Sequence, residues 1–237
     1  MNNRRSFIVG IKSTKLSLKE KNFIKRYRPW GIILFTRNIK NIQQTQKLTS
    51  EIRKIFNDKK YPILIDQEGG RVNRLKNLIS FDNLTSEFFG KKFIKNFLEF
   101  SMYYNLFIDK TSYLLRLIGV NINTCPVLDL KIKGSSNIIG DRSFSRNPKM
   151  VSKIGDMCIN LFHKNGIGTV IKHIPGHGLA KVDSHYFTPV VQKELKYLGK
   201  NDFVPFKRKK SFFAMTAHII FNKIDNKNTA THSKLLI

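Results

Sequence analysis

The sequence predicts an α/β fold built on a parallel sheet of about six strands, and three observations carry that expectation. Apolar runs alternate with segments of helical periodicity, the pattern of βαβ units rather than of hairpins. The runs are nearly continuous in hydrophobic residues, as in strands covered on both faces, where one-sided strands would alternate. The polar residues that interrupt the runs gather at their C-terminal ends, where parallel α/β folds place their chemistry. An open doubly wound sheet and an incomplete (β/α)₈ barrel both satisfy this periodicity.

The runs fall at 6–11, 31–35, 61–66, 121–130, 168–174 and 212–220. Between the first two, Ser17 and Glu20 have capping-box spacing, and Leu16, Phe23, Ile24 and Tyr27 recur at helical intervals until Pro29 stops the pattern. The next connection carries Thr45, Leu48, Ile52, Ile55 and Phe56 on one stripe, and the segment after Asn147-Pro148 carries Val151, Ile154, Cys158, Leu161 and Phe162 on another. Both predict helices that cover a sheet. The long Phe- and Tyr-rich stretch 84–118 predicts two helices, with Phe100, Tyr104, Phe107, Thr111, Leu114 and Ile118 on one face.

The 237 residues suit one large domain, 1–237. At 41% hydrophobic, 11% aromatic and 25% charged residues, the chain has the composition of a globular protein and not of a disordered one. A formal charge of +27 raises nucleic acid or an anionic membrane as partners. The excess, however, is lysine scattered along the chain, with short clusters such as Lys207-Arg208-Lys209-Lys210 and no interleaving of aromatics with arginines. The expectation is a solvated basic surface, with neither a specific nucleic-acid partner nor a membrane partner. Cys125 and Cys158 suggest neither a disulfide framework nor a metal site. The short apolar run after Arg4 and Arg5 lacks the length of a signal-peptide core, so a cytoplasmic location is expected.

No G-x-G-x-x-G follows the first run and no P-loop occurs, which removes the usual markers of the nucleotide-binding open sheet. The strand ends carry different residues. After the third run comes Asp66-Gln67-Glu68-Gly69-Gly70-Arg71-Val72-Asn73-Arg74. Asp129 closes the fourth, and Gly140-Asp141-Arg142-Ser143-Phe144 lies further along its loop. Lys172-His173-Ile174-Pro175-Gly176-His177-Gly178 closes the fifth, with Asp183-Ser184-His185 a short distance beyond.

D-Q-E-G-G-R-V, R-S-F, K-H-x-P-G-H-G and D-S-H, in this order, resemble the bacterial family 3 β-N-acetylglucosaminidases of peptidoglycan recycling. The likeness extends to G-I-I-L-F-T-R-N near residue 31, P-V-L-D-L near 126 and T-A-H-I near 216, so it covers the chain in register. It implies a TIM-type (β/α)₈ barrel, here truncated after about six strands. It implies a retaining glycoside hydrolase that removes terminal β-linked N-acetylglucosamine from cell-wall fragments, with no metal and no cofactor. The sugar hydroxyls would be held by Asp66, Arg74, Arg142, Lys172 and His173, groups that accept from or donate to hydroxyls in fixed directions. Asp183 and His185 would form the acid/base dyad: an imidazole titrating near neutrality can protonate the leaving oxygen and later deprotonate water, and the carboxylate orients it. His173, His177 and His185 with Asp183 match no zinc spacing.

Retention also needs a carboxylate nucleophile, and the family carries it on the strand after the one bearing T-A-H-I. This chain instead runs through 228–233 into what reads as the start of a helix at 234–237, and no residue matches the nucleophile. The expectation is a fragment whose own activity is in doubt, with exposed strand edges able to associate with a complementary C-terminal piece. A non-catalytic sugar-binding remnant, a β-glucosidase-type specificity and a basic nucleic-acid binder are the alternatives.

Overall fold

The structure is a computed structural model that describes residues 4–135, 137–183 and 186–237. Six parallel strands form one sheet: β1 (Arg5–Gly10), β2 (Pro29–Leu34), β3 (Ile63–Ile65), β4 (Ile122–Asn123), β5 (Gly168–Ile174) and β7 (Phe213–Thr216). Each strand lies beside its predecessor, in the order β1-β2-β3-β4-β5-β7. A doubly wound sheet would reverse that order partway, so the barrel alternative holds.

The sheet curls. Trp30 of β2 and Phe213 of β7 are three strands removed from being neighbours, yet their rings meet edge-to-face at 5.1 Å. Alternation along the strands then sorts the side chains. Ile32, Leu34, Ile63, Ile65 and Ile171 belong to the main core, packed with the helices. Leu64, Ile122 and Val170 form a separate inner cluster with Trp30, Ile33 and Met215. The residues two further along three of these strands are Asp66, Thr124 and Lys172, so these three polar side chains sit directly above that inner apolar layer.

The covering helices match the predicted pattern. In α1 (Leu18–Tyr27) Ser17 and Glu20 close the capping box, and in α2 (Ile42–Phe56) Asn41 caps the start while Thr45, Leu48, Ile52 and Phe56 are buried. The aromatic stretch divides at Asn96 into α3 (Ser86–Lys95) and α4 (Phe97–Leu117). Asn96 caps the second by accepting from the Glu99 backbone N–H. Asn147 caps α5 (Pro148–Lys164), with Pro148 at its first turn. A smaller pairing of β6 (Val190–Val191) with β8 (Ile220–Phe221) and the short α6 (Leu195–Lys200) enclose a second core around Leu198, Ile219 and Phe221.

Three expectations need correction. The run 121–130 is a strand only at Ile122–Asn123, because Pro126 has no N–H to give a ladder; beyond it the chain makes a single bridge, Val127 to Lys172. The outer strands β1 and β7 are largely exposed rather than buried on both faces, since each has a neighbour on one side only. Residues 234–237 form a turn and not a helix.

Candidate active site

The loop after β3 is fixed before it presents any chemistry. The Gln67 side-chain oxygen accepts from the backbone N–H groups of Arg74 and Leu75 at 2.8 and 3.0 Å. Asn123 at the end of β4 accepts from the Gln67 N–H and donates to its carbonyl. Gly69 has φ +92° and approaches the Leu84 carbonyl so closely that a Cβ would lie 2.4 Å from that oxygen, which requires glycine. The loop after β5 is equally tight, because a Cβ on Gly178 would lie 2.4 Å from the Leu130 carbonyl.

The loop after β3, the segment after β4 and strand β5 together assemble an ion network around Glu68, which is buried. Its Oε1 receives Lys172 Nζ at 2.6 Å and Arg142 Nη2 at 2.9 Å, and its Oε2 receives Arg142 Nε at 2.8 Å. Lys172 Nζ also donates to Asp66 Oδ1 and Thr124 Oγ1, each at 3.1 Å, and Thr124 in turn donates to Asp66. Arg74 Nη2 stands 3.8 Å from the other Asp66 oxygen.

The electrostatics derive from this pairing. Burial alone would raise the Glu68 carboxyl, but the charges and hydrogen bonds of Lys172 and Arg142 overcome it and bring the pKa down to about 2. Asp66 is likewise held below the usual carboxylate range: burial opposes, and Lys172 and Thr124 prevail. Burial acts to lower Lys172, yet Glu68 and Asp66 raise it above an ordinary lysine. The network is therefore ionised throughout the neutral range. Asp66 and Arg74 keep part of their side chains accessible, 15% and 30%, and so can turn toward a ligand the valences left over from the network.

A second cluster centres on Asp129, which is fully buried. Its Oδ1 accepts the backbone N–H groups of His173 and His177 at 3.3 and 2.7 Å, and its Oδ2 lies 2.6 Å from His173 Nδ1. With an ionised carboxylate as partner, Nδ1 carries the proton. Burial pushes Asp129 up, but His173 and His177 bring its pKa below the ordinary value.

Asp202 is the exception to this pairing. It is 2% exposed, both of its carboxylate oxygens lack a hydrogen-bond partner among the described residues, and its Cβ is 3.0 Å from where a Cβ on Gly176 would stand. Burial, aided by the charge of Asp129, pushes its pKa up to about 6. A carboxyl raised in the folded state adds stability below its unfolded pKa of about 3.9 and loses it as pH rises through the folded value. Asp202→Asn is therefore expected to raise stability at pH 7.5 by about 1–3 kcal/mol and to change it little at about pH 3.5. Thermal denaturation at the two pH values checks this.

Of the residues singled out from sequence, Arg142 and Lys172 meet on Glu68, Asp66 meets Lys172, and Arg74 joins at the edge beside Asp66. His173 belongs to the neighbouring Asp129 cluster. Asp183 is partly exposed in the loop after β5, and His185 lies outside the described residues. Glu68, Thr124 and Asp129 carry much of the geometry without having been assigned a role from sequence. The signal that could have found them is charge balance: an inward lysine on a central strand needs buried anions. Among the described residues no group of histidine, cysteine or carboxylate side chains is arranged to hold a metal ion. Cys125 and Cys158 are both buried and unbridged.

Residues 8–237 match the glycosyl hydrolase family 3 N terminal domain. The chain is 33% identical over 225 residues to a beta-hexosaminidase of Hydrogenovibrio crunogenus, covering 92% of this chain and 61% of the relative. It is 31% identical to beta-hexosaminidase A of Pseudoalteromonas piscicida, covering 90% of this chain and 36% of that one. The chain thus spans less than two thirds of these relatives. Among solved structures, NagZ from Neisseria gonorrhoeae in complex with N-trifluoroacetyl-D-glucosamine superposes with a TM-score of 0.86 at 29% identity, covering 99% of this chain and 69% of that one. A family 3 beta-N-acetylglucosaminidase from Paenibacillus sp. superposes with a TM-score of 0.86 at 29% identity, covering 98% and 44%. Barrel-ordered strands, the ionised cluster at their C-terminal ends and these likenesses agree: the chain belongs to glycosyl hydrolase family 3, as its N-terminal domain.

Proposed function

We propose that this chain carries the sugar-binding and acid/base face of a retaining β-N-acetylhexosaminidase that acts in the cytoplasm on N-acetylglucosamine-bearing cell-wall fragments. The single observation that carries the reading is one buried ion network at the mouth of the strands, in which Glu68 binds both Lys172 and Arg142 and Lys172 in turn binds Asp66. A network locked in this way offers fixed donors and acceptors without rearranging when a ligand arrives, as discrimination between sugars demands. Asp66 and His173 Nε2 accept from hydroxyls, while Arg74, Arg142 and Lys172 donate to hydroxyl and carbonyl oxygens. His185 protonates the departing glycosidic oxygen and later deprotonates water, and Asp183 orients its ring. The retaining reaction's nucleophile is not assigned to a residue of this chain.

Titration with N-acetylglucosamine and, separately, glucose, monitored by saturation-transfer NMR, tests the binding half. Binding of the amino sugar in preference to glucose, weakened at least about tenfold by Asp66→Ala, is expected, since that change removes a charge-assisted hydrogen bond of about 1.5–3 kcal/mol. Absence of binding overturns the proposal. In any preparation that hydrolyses an aryl β-N-acetylglucosaminide, His185→Ala is expected to lower the rate for a poor leaving group by about 10²–10⁴. Binding that survives with no turnover under any condition leaves the sugar-binding remnant as the reading.

A further inference from the structure

Helix α4 is apolar on two opposite faces. Phe100, Tyr104, Phe107 and Leu115 point into the core, and on the far side Leu98, Met102 and Leu106 repeat every four residues at 80%, 60% and 53% exposure. Spacing of four keeps these three in one row along the helix. Ile94, near the end of α3, is also exposed, at 74%. Single exposed apolar residues need no explanation, but a contiguous row does.

Beside the row, between α3 and α4, lies a groove of about 450 Å³ walled by Leu84, Phe88, Leu106 and Phe107 and rimmed by Lys92 and Lys110. Of the acids of this region, Glu87 pairs with Lys91 and Lys131 and Glu99 with Lys92, while Asp109 accepts from the neutral Asn165 amide and keeps its charge. Lys91, Lys92, Lys95, Lys110 and Lys131 nonetheless outnumber Glu87, Glu99 and Asp109 five to three. The face therefore combines exposed apolar side chains with a net positive rim.

We propose that this α3–α4 face docks on the surface of an anionic lipid bilayer, with the apolar row entering the acyl boundary and the lysines meeting the head groups. An interfacial helix of this kind draws on apolar burial and on attraction to anionic lipid together. The overall charge of +27 separates this occupant from the obvious competitor. A second copy of the chain would bring the same charge to the same face and be repelled, whereas a negatively charged surface is attracted over its whole approach. No described helix is long and apolar enough to cross a membrane, so the contact is peripheral. Dispersed lysines alone argue against a membrane partner, and the exposed row on α4 is the observation on which the proposal departs from that expectation.

Flotation of the chain with vesicles of phosphatidylcholine and phosphatidylglycerol, against vesicles of phosphatidylcholine alone, at about 150 mM salt, tests the proposal. The protein is expected to float with the anionic vesicles. The triple variant Leu98→Gln, Met102→Gln, Leu106→Gln, which changes no charge, is expected to bind at least about tenfold more weakly with an unaltered melting curve. Equal flotation of the variant would mean that scattered lysines alone hold the protein and overturns the proposal. So does absence of flotation, or a dimer in light scattering that the triple variant abolishes. Should the variant fold poorly, Leu106→Trp gives a second reading: its emission should shift to the blue on anionic vesicles, and an unchanged spectrum also refutes the docking face.

Discussion

Glu68→Ala is expected to lower the melting temperature by roughly 6–20 °C, the consequence of losing about 3–5 kcal/mol in a chain of this size. The reason lies in the charges left behind. Glu68 is 4% exposed at its side chain and neutralises Lys172, itself 3% exposed, and Arg142 at 14%. Removing it strands one cation completely buried and a second nearly so, with Asp66 the remaining carboxylate beside the lysine. Breaking a buried pair by deleting one partner is among the costliest single changes, although replacing the whole network with apolar residues need not be. Glu68→Gln should also destabilise, because each carboxylate oxygen receives a donor and the amide would turn its own donors toward one of them.

The same network sets an acid limit. With a folded pKa of about 2 against about 4.3 unfolded, Glu68 contributes stability above the unfolded value and loses it as pH falls through the folded one. That contribution is about 3 kcal/mol, and the lowered carboxyls of Asp66 and Asp129 act in the same direction. Wild-type stability should therefore fall between about pH 4.3 and 2, and Glu68→Ala should flatten that fall. Denaturant midpoints measured across this range check both statements; a wild-type curve that is level there refutes the ionised network.

How far the sequence discloses this arrangement depends on how local each cause is. The cap of α1 is legible because Ser17 and Glu20 are three residues apart and satisfy each other. The split of 84–118 is legible for the same reason, with Asn96 turning away from helix and capping α4. The strand ends of β3 and β5 are legible because a charged residue interrupts an apolar run. Glu68 and Asp129 are different. Their partners lie 74 and 44 residues away along the chain, and nothing in the periodicity of either segment distinguishes a carboxylate that organises a site from one that faces solvent. The exposed row on α4 is hidden for the converse reason. Leu98, Met102 and Leu106 look in sequence like any core-facing stripe, and only the packing of the opposite face shows that they have been left outside.

Asp129→Ala and Asp129→Asn should separate structural from chemical consequences at the second cluster. Alanine removes the acceptor of two buried backbone N–H groups, those of His173 and His177, at about 1–3 kcal/mol each, and loses the ring contact as well. A destabilisation of about 2–6 kcal/mol is expected. Asparagine keeps one carbonyl oxygen, and the two N–H groups dictate where it goes: the oxygen must occupy the Oδ1 place that both of them address. Its NH₂ then occupies the Oδ2 place, 2.6 Å from His173 Nδ1, and cannot face an N–H there. A neutral ring must then carry its proton on Nε2, so that this nitrogen becomes a donor, whereas in a neutral ring beside the carboxylate it is an acceptor. Imidazole ¹⁵N shifts should report the Nδ1–H tautomer in the wild type and the Nε2–H tautomer in Asp129→Asn, with a stability loss smaller than alanine's. If the two proteins show the same tautomer, Asp129 does not govern which nitrogen His173 offers, and its role reduces to holding the backbone of the loop after β5.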